Sequence, residues 1–293
     1  MFSQNIVRNI LCPVDFSEQS LQVLEHAARV SDLYAGASIT VLNVVDDMAP
    51  EYAPYRTTES KLKTLHRTLE QDSQNRLKIH AQPWLRGFEK VKFLTVFGKP
   101  PQMITRVAKE ERCDMIMMAT RSMGLTTQFI LGSTTYRIVR TAPCPLMVFS
   151  HPDQKFRALR VLFPTDFSEL SLLSLPYVYH ITREYDADLH LVHFRQTHTA
   201  TPIVKDSTRE LEALRRNAKA NGVSRITVQD DIPGRSPGTA ILDYAKQQNV
   251  DLTVLSAHGS SGYKQFFLGT TAVEVSSKSP NPVLLVRRTD WTL

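Results

Sequence analysis

An internal repeat constrains the fold of this chain more than any other feature. Residues 11–18 read LCPVDFSE and residues 162–169 read LFPTDFSE, and each segment closes a short apolar run and opens a helical pattern. Later in each half, residues 128–139 (QFILGSTTYRIV) match residues 265–276 (QFFLGTTAVEVS). Because the matching segments occur in the same order, the sequence predicts two copies of one domain in tandem.

The length of the chain agrees with this division. A chain of 293 residues is in the range at which single hydrophobic cores stop growing and domains separate. We predict domains at residues 1–153 and 154–293, joined by a polar linker over residues 151–157. Asp15 and Asp166 are 151 residues apart, whereas the glycines of the second repeated motif are 137 apart, so the first half carries 14 additional residues. The irregular segment PEYAPYRTTES places them in a loop and helix between residues 46 and 82.

Apolar runs typical of strands alternate with amphipathic helical patterns five times in each half. Such alternation indicates a parallel sheet with right-handed crossovers and helices on both faces. We therefore predict an α/β fold of two tandem doubly wound, flavodoxin-like or Rossmann-like domains, each with a five-stranded and mainly parallel sheet. Ligands of such sheets bind beyond the carboxyl ends of the strands, where the strand order reverses.

The composition narrows the functional classes. The 35 basic and 29 acidic residues are scattered, without a run of five like charges, so we expect no specific nucleic-acid site. The sequence lacks both a leader pattern and an apolar run near the ~18 residues that span a bilayer. Cys12, Cys113 and Cys144 form no CxxC pair, which favours reduced thiols over a zinc site. We expect a cytoplasmic protein with no metal site and no membrane contact.

The first candidate site residues are the aspartates of the repeated Pro-x-Asp-Phe-Ser motif, Asp15 and Asp166. Each follows the first strand of its half, where a carboxylate can accept a hydrogen bond from the amine of a nucleobase. The alternative is that Asp15 or Ser17 only caps the following helix, a common role of Asp and Ser.

The second candidate lies after the fourth strand of the second half, which reads Ser256-Ala-His-Gly259, nine residues, then Gly269-Thr270. Glycines let a backbone approach a phosphate closely, and a Gly-Thr pair at a helix start offers N–H groups, a hydroxyl and the positive end of the helix dipole. The alternative is a turn at Gly259 and a simple N-cap at Thr270. The two sites together favour a phosphate site. In the first half, Gly132-Ser133 keeps the pattern at the helix start. The two positions of the preceding loop that would favour glycine, however, carry side chains.

The whole chain resembles the universal stress protein family in its tandem-domain form. Nucleotide-binding members of that family carry Gly-x-x-Gly-nine-Gly-Ser/Thr after strand four and an Asp after strand one. The resemblance implies that Asp166 contacts adenine, that Phe194 on the second strand lies along the base, and that Gly259, Gly269 and Thr270 hold ribose and phosphates.

The resemblance also has departures. In the first half, the counterparts of the residues just named in the second half are Asp15, Val44, Gly132 and Ser133. Ser256 replaces the first glycine of the signature in the second half, and Ala119 and Ser122 replace the first two glycines in the first half. Because some family members that lack the glycines do not bind ATP, binding in either half is a hypothesis.

Two weaker signals favour ordinary structure. The segment from Gly234 to Thr239 is similar to a phosphate-binding Walker loop but lacks its lysine, and we predict a turn into a helix. His190, His193 and His198 suggest a metal cluster by number alone. On a strand, however, residues three apart point to opposite faces, so we predict no shared ion.

These observations favour a stress-response protein that binds ATP or a related adenine nucleotide, with or without Mg²⁺, mainly in its second half. We expect the nucleotide not to be needed for folding, and any hydrolysis to be slow, because no general base, Walker lysine or catalytic arginine is recognisable. The resemblance implies a homodimer, and we also expect a protein partner of unknown identity. The alternatives are a nucleotide-free interaction module and an adenylating enzyme, although the HIGH-type and SGGxDS-type loops of such enzymes are missing.

Overall fold

The computed structural model describes residues 6–85, 87–120, 131–152, 156–196, 207–257 and 269–287. The first half contains β1 (Asn9–Pro13), α1 (Glu18–Leu33), β2 (Ser38–Val45), a 3₁₀ helix (Pro50–Thr57), α2 (Glu59–Ala81), β3 (Val91–Phe97), α3 (Pro100–Glu110), β4 (Met115–Ala119), α4 (Ser133–Thr141) and β5 (Leu146–Phe149). The second half contains β6 (Arg160–Thr165), α5 (Glu169–Leu172), α6 (Leu175–Glu184), β7 (Asp188–Gln196), α7 (Ser207–Ala220), β8 (Arg225–Gly234), α8 (Pro237–Gln247), β9 (Leu252–Ser256), α9 (Thr270–Lys278) and β10 (Val283–Val286).

The two halves share one ten-stranded sheet with the order β3-β2-β1-β4-β5-β10-β9-β6-β7-β8. Strands within each half are parallel, and the order in each is that of a Rossmann-type domain, so the predicted doubly wound, five-stranded architecture is confirmed. The halves meet through the last strand of each, because β5 and β10 pair antiparallel, with Val148 opposite Val283 and Leu146 opposite Leu285.

The core lies in two layers, one on each face of the sheet. One layer joins side chains of α1, α2, α6 and α7 to the sheet, and the other joins side chains of α3, α4, α8 and α9 to it. Val161 and Phe163 of β6 enter the first layer, whereas Leu162 enters the second, as the two-residue period of a strand requires. The strands next to the centre therefore need apolar residues on both faces, which explains their unbroken apolar sequences.

The additional residues of the first half mostly lengthen α2. This helix has 23 residues, whereas its counterpart α7 has 14. The helix buries Leu65, Ser73 and Leu77 and leaves its other faces to solvent, which accounts for its polar sequence. The placement predicted between residues 46 and 82 is confirmed for this helix.

The predicted linker is less polar in its contacts than in its sequence. Pro152 and Phe156 are both buried, on either side of residues 153–155, which lie outside the described part of the chain. The carbonyl oxygen of Pro152 lies 2.7 Å from His26 Nε2, and the His26 ring stacks on Phe149 with centroids 4.7 Å apart. The expectation of a polar linker over residues 151–157 is therefore wrong for these two positions, because the chain packs against the middle of α1 at His26.

Candidate functional site

The candidate site lies where the strand order reverses in each half. In the second half, β6 pairs with β7 on one side and with β9 on the other, with Val161 opposite Leu252 and Leu162 opposite Thr253. Both strands continue toward the same edge, so Asp166 after β6 and the chain after β9 leave the sheet side by side. The first half repeats this arrangement with β1 between β2 and β4. A crevice at this position is the usual ligand site of a doubly wound sheet.

The two candidate aspartates support the turn that follows the first strand. Asp15 Oδ1 accepts hydrogen bonds from the backbone N (3.1 Å) and the Oγ of Ser17, and Asp166 Oδ1 accepts them from the N (3.0 Å) and Oγ (2.6 Å) of Ser168. Ser17 and Ser168 are the N-caps of α1 and α5. The serine is thus the cap and the aspartate holds it, and both carboxylates remain exposed at the crevice.

Hydrogen bonding stabilises the charged form of Asp15. Partial burial raises the pKa of this carboxyl, but hydrogen bonds from Ser17 and Ser20 outweigh that effect, so its pKa is lowered from the usual 3.8. Asp15 is therefore an ionised hydrogen-bond acceptor at neutral pH, which suits contact with an exocyclic amine.

The residue after each aspartate has an unusual backbone conformation that sequence reasoning missed. Phe16 has φ 64° and Phe167 has φ 59°, a left-handed conformation that is uncommon for a bulky residue. The guanidinium of Arg76 lies 4.3 Å from the Phe16 ring centroid, and the ring of His193 lies 5.0 Å from that of Phe167. Such strain is kept where the surrounding structure holds it, and it often marks functional sites. The repeated Asp-Phe-Ser could have revealed it, because an Asp side chain bonded two residues ahead indicates a tight turn.

The start of α9 lies beside the end of β9. Its N-cap is Gly269 (φ −63°, ψ 136°), which brings no side-chain acceptor to the first turn, and the Thr270 side chain is exposed. The Gly269 N–H donates to the Ala257 carbonyl (3.0 Å), which holds the start of α9 against the end of β9. Ser256 is the last residue of β9. Gly259 lies in that segment, outside the described residues.

The first half has the same framework at α4. Gly132 (φ −56°, ψ 150°) is the N-cap and Ser133 is exposed. Thr135 Oγ1 donates to the Ala119 carbonyl at 3.2 Å, which fixes the helix start to the end of β4. Ser122 lies outside the described ranges.

Phe194 and Val44 occupy similar positions at the ends of β7 and β2. Both are half-buried and pack on the layer that contains α3 and α8. The Phe194 ring meets Tyr244 edge-on, with centroids 5.9 Å apart and an interplanar angle of 86°. The Tyr244 hydroxyl is in turn 2.9 Å from His190 Nδ1. The position of Phe194 is therefore fixed by packing, and its contact with a base stays a prediction.

The histidines do not gather. His190 points to Tyr244, whereas His193 points to the other face and its Nδ1 lies 2.9 Å from Asp230 Oδ1. His198 lies outside the described residues. Over the described part of the chain, no group of three or more His, Cys, Asp or Glu side chains is arranged to hold a metal ion.

The Walker-like segment begins a helix, as predicted. Ser236 is the N-cap of α8 and forms a capping box with Thr239. A Cβ on Gly234 would lie 2.5 Å from the Ala240 Cβ, so this glycine is needed for close packing. The predictions of a turn here and of opposite-facing His190 and His193 are both confirmed.

A comparison with protein families decides the relationship of the chain. The model of the universal stress protein family matches residues 7–150 and again residues 158–287. The chain belongs to the universal stress protein family. The resemblance inferred from the repeated motifs is thereby confirmed, with one family match in each half.

Individual relatives agree with this assignment. The chain is 24% identical over 291 residues to a universal stress protein of Mycolicibacterium smegmatis, covering 95% of this chain and 96% of that protein. The solved structure of a universal stress protein from Archaeoglobus fulgidus is similar over 96% of this chain and 99% of its own, with 21% identity and a TM-score of 0.75. A universal stress protein solved in complex with cAMP is 23% identical and covers 46% of this chain and 99% of its own, with a TM-score of 0.38. Within the described ranges, no helix of this chain has the length and hydrophobicity needed to cross a bilayer.

Proposed function

We propose that this universal stress protein binds ATP or a related adenine nucleotide mainly in its second half, and that nucleotide occupancy serves a stress response. One observation carries the proposal: α9, a helix with glycine as its N-cap, begins at the point where the strand order reverses, beside β6, the strand that Asp166 follows. A helix start of this kind attracts phosphate through its N–H groups and its dipole.

Each named residue has a definite task in this proposal. The first-turn N–H groups of α9, the hydroxyl of Thr270 and Gly259 hold the ribose and phosphates, and Ser256 stands at the first glycine position of the family signature. Asp166 accepts a hydrogen bond from the adenine amine, and Phe194 lies along the base. Mg²⁺ enters with the nucleotide, bound to its phosphates.

The first half binds more weakly in this proposal. Asp15, Val44, Gly132 and Ser133 keep the matching positions, but Ala119 and Ser122 carry side chains where the family signature has glycines. Catalysis is not part of the proposal, because the sequence supplies no Walker lysine and no recognisable general base. Association into a homodimer is part of it, and light scattering after size exclusion measures the mass directly.

Calorimetric titration of ATP with Mg²⁺ into the wild type, Gly269→Val and Gly132→Val tests the proposal. The backbone angles at both glycines are open to any residue, so valine leaves the fold intact and places a branched side chain over the first-turn N–H groups. We expect binding to be lost in Gly269→Val and kept in Gly132→Val. Cyclic AMP, the ligand named for one relative, is titrated in the same way.

The alternative is a nucleotide-free interaction module, which the missing glycines of the first half favour. In that case the tandem pair recruits a partner whether or not nucleotide is present. Absence of binding at millimolar ATP, with folded protein free of copurified nucleotide, would exclude the nucleotide proposal and leave this alternative.

A further inference from the structure

An open groove separates α3 and α4 on the outer face of the first half. Its volume is about 780 Å³, and side chains of both helices line it.

Four basic side chains surround the groove. Arg106 and Lys109 lie on α3, and Arg137 and Arg140 lie on α4, with Glu110 as the single acidic residue of the lining. Glu110 is engaged by Arg106, whose Nε lies 2.7 Å from its Oε1. The groove is therefore a positively charged surface.

The matching face of the second half is closed. Positions on α3 and α4 correspond to positions 137 residues later on α8 and α9, which have the same lengths, so Pro101 matches Gly238 and Arg137 matches Glu274. A Cβ on Gly238 would lie 2.3 Å from Glu274 Oε2, so the Glu274 side chain of α9 fills the space over this glycine of α8. With Pro101 in that place, the first half does not close in the same way.

The charge of this face also differs between the two halves. The counterparts of Arg106, Arg137 and Arg140 are Asp243, Glu274 and Ser277. The second half thus has acidic or neutral residues at the three positions where the first half has arginine. Two copies of one domain therefore differ at the same face in both packing and charge.

The groove also offers an aromatic surface. Tyr136 is 40% exposed, and the guanidinium of Arg140 lies 5.8 Å from its ring centroid while donating to its hydroxyl at 3.2 Å. An exposed aromatic ring between arginines is a combination enriched in protein interfaces.

We propose that the α3–α4 groove of the first half docks an acidic amphipathic helix of a partner protein. A cleft between two helices accepts a third helix through apolar contacts, and the basic rim selects acidic flanks. A second copy of this chain fits less well, because the chain carries a net charge of +6. The proposal does not depend on nucleotide binding.

Fluorescence anisotropy of the full-length protein with labelled probes tests the proposal. The probe is a 16-residue peptide with leucine at helical spacing and glutamate elsewhere; its comparators are a scrambled peptide of the same composition and a 15-nucleotide single-stranded DNA. The variants are Arg137→Glu, which copies the second half, and Arg140→Ser, which does the same at a second position. Arg216→Glu, on the exposed face of α7, is the matched control.

We expect saturable binding of the amphipathic peptide, about tenfold weaker in Arg137→Glu and weakened in Arg140→Ser, with Arg216→Glu close to the wild type. Equal binding of the scrambled peptide or of the DNA would overturn the proposal in favour of a general polyanion surface. Absence of binding, or equal loss in the control, would also overturn it. Thermal melts confirm that each variant is folded.

Discussion

The guanidinium of Arg287, which follows β10 in the second half, donates to the carbonyl oxygen of Ala142 at the end of α4 in the first half, with Nη1 and O 2.6 Å apart. Its Nη2 donates to the Val139 carbonyl at 2.6 Å. Both carbonyls lie at the C-terminal end of α4. Carbonyl groups at a helix C-terminus have no hydrogen-bond partners within the helix, and they carry the negative end of the helix dipole. Burial lowers the pKa of Arg287 to about 10, so it stays charged at neutral pH.

Replacing Arg287 by Gln is expected to lower the free energy of unfolding by about 2–4 kcal/mol, because two buried carbonyls lose a charged donor. Ser150 holds the matching position and donates one hydrogen bond, to the Ser279 carbonyl at 2.6 Å. Ser150→Ala should therefore cost only about 1 kcal/mol. Urea unfolding measures both, and equal losses would contradict this account.

Stability should fall as the pH drops below about 6.5, in part through His190. Burial lowers the pKa of His190 from its usual 6.5, and burial raises the pKa of Tyr244 to about 12, so the tyrosine hydroxyl donates to neutral His190 Nδ1. Below pH 6.5 this histidine binds a proton in the unfolded chain but not in the folded chain. Protonation therefore favours the unfolded state, and the free energy of unfolding falls by at most about 1.4 kcal/mol per pH unit. Urea unfolding at pH 7.5 and 5.5 should show a smaller difference in His190→Gln. An unchanged difference in His190→Gln would contradict this account.

The three cysteines should be inert in the folded protein. Burial raises the pKa of Cys113 to about 12 and raises the pKa values of Cys12 and Cys144 as well, and the thiolate is the reactive form. We expect no rapid reaction with Ellman's reagent at pH 8 and three thiols per chain in guanidinium chloride. Fast labelling of the native protein would show that one of these sites opens readily.

Replacing Asp166 by Asn tests the proposed contact with adenine. Asparagine keeps an Oδ1 acceptor for Ser168, so the turn is preserved, but the charge of the acceptor is lost. ATP binding should weaken by about tenfold, the loss expected for a charge-assisted hydrogen bond. Asp15→Asn should leave it nearly unchanged, and calorimetry on both variants that showed the reverse would assign the main site to the first half.

The repeat and the alternation of elements were enough to predict the fold, because a duplicated motif at constant order fixes the number of domains and apolar strand runs fix the parallel sheet. The same sequence could not predict which residues fill the linker. Pro152 and Phe156 stand in a polar segment, and both are buried against His26 in the middle of α1, which lies far away in the chain.

The candidate site was predicted in type but not in detail. The Asp-Phe-Ser motif indicated a cap, and Ser17 is that cap, but the left-handed Phe16 packs its ring against Arg76 from α2, about 60 residues away in sequence. The cap on α4 by Arg287 was missed for the same reason, since an arginine after a terminal strand has no local pattern that marks a distant helix end.

The antiparallel pair of β5 and β10 has a consequence for how the two halves can change. Two identical chains that associate across a two-fold axis present the same residues on both sides of the interface. Every substitution at that interface therefore changes both sides at once. Joining the copies in one chain removes this requirement, and Ser150 and Arg287 already differ at equivalent places. Each half is then free to diverge alone while its neighbour preserves the shared sheet.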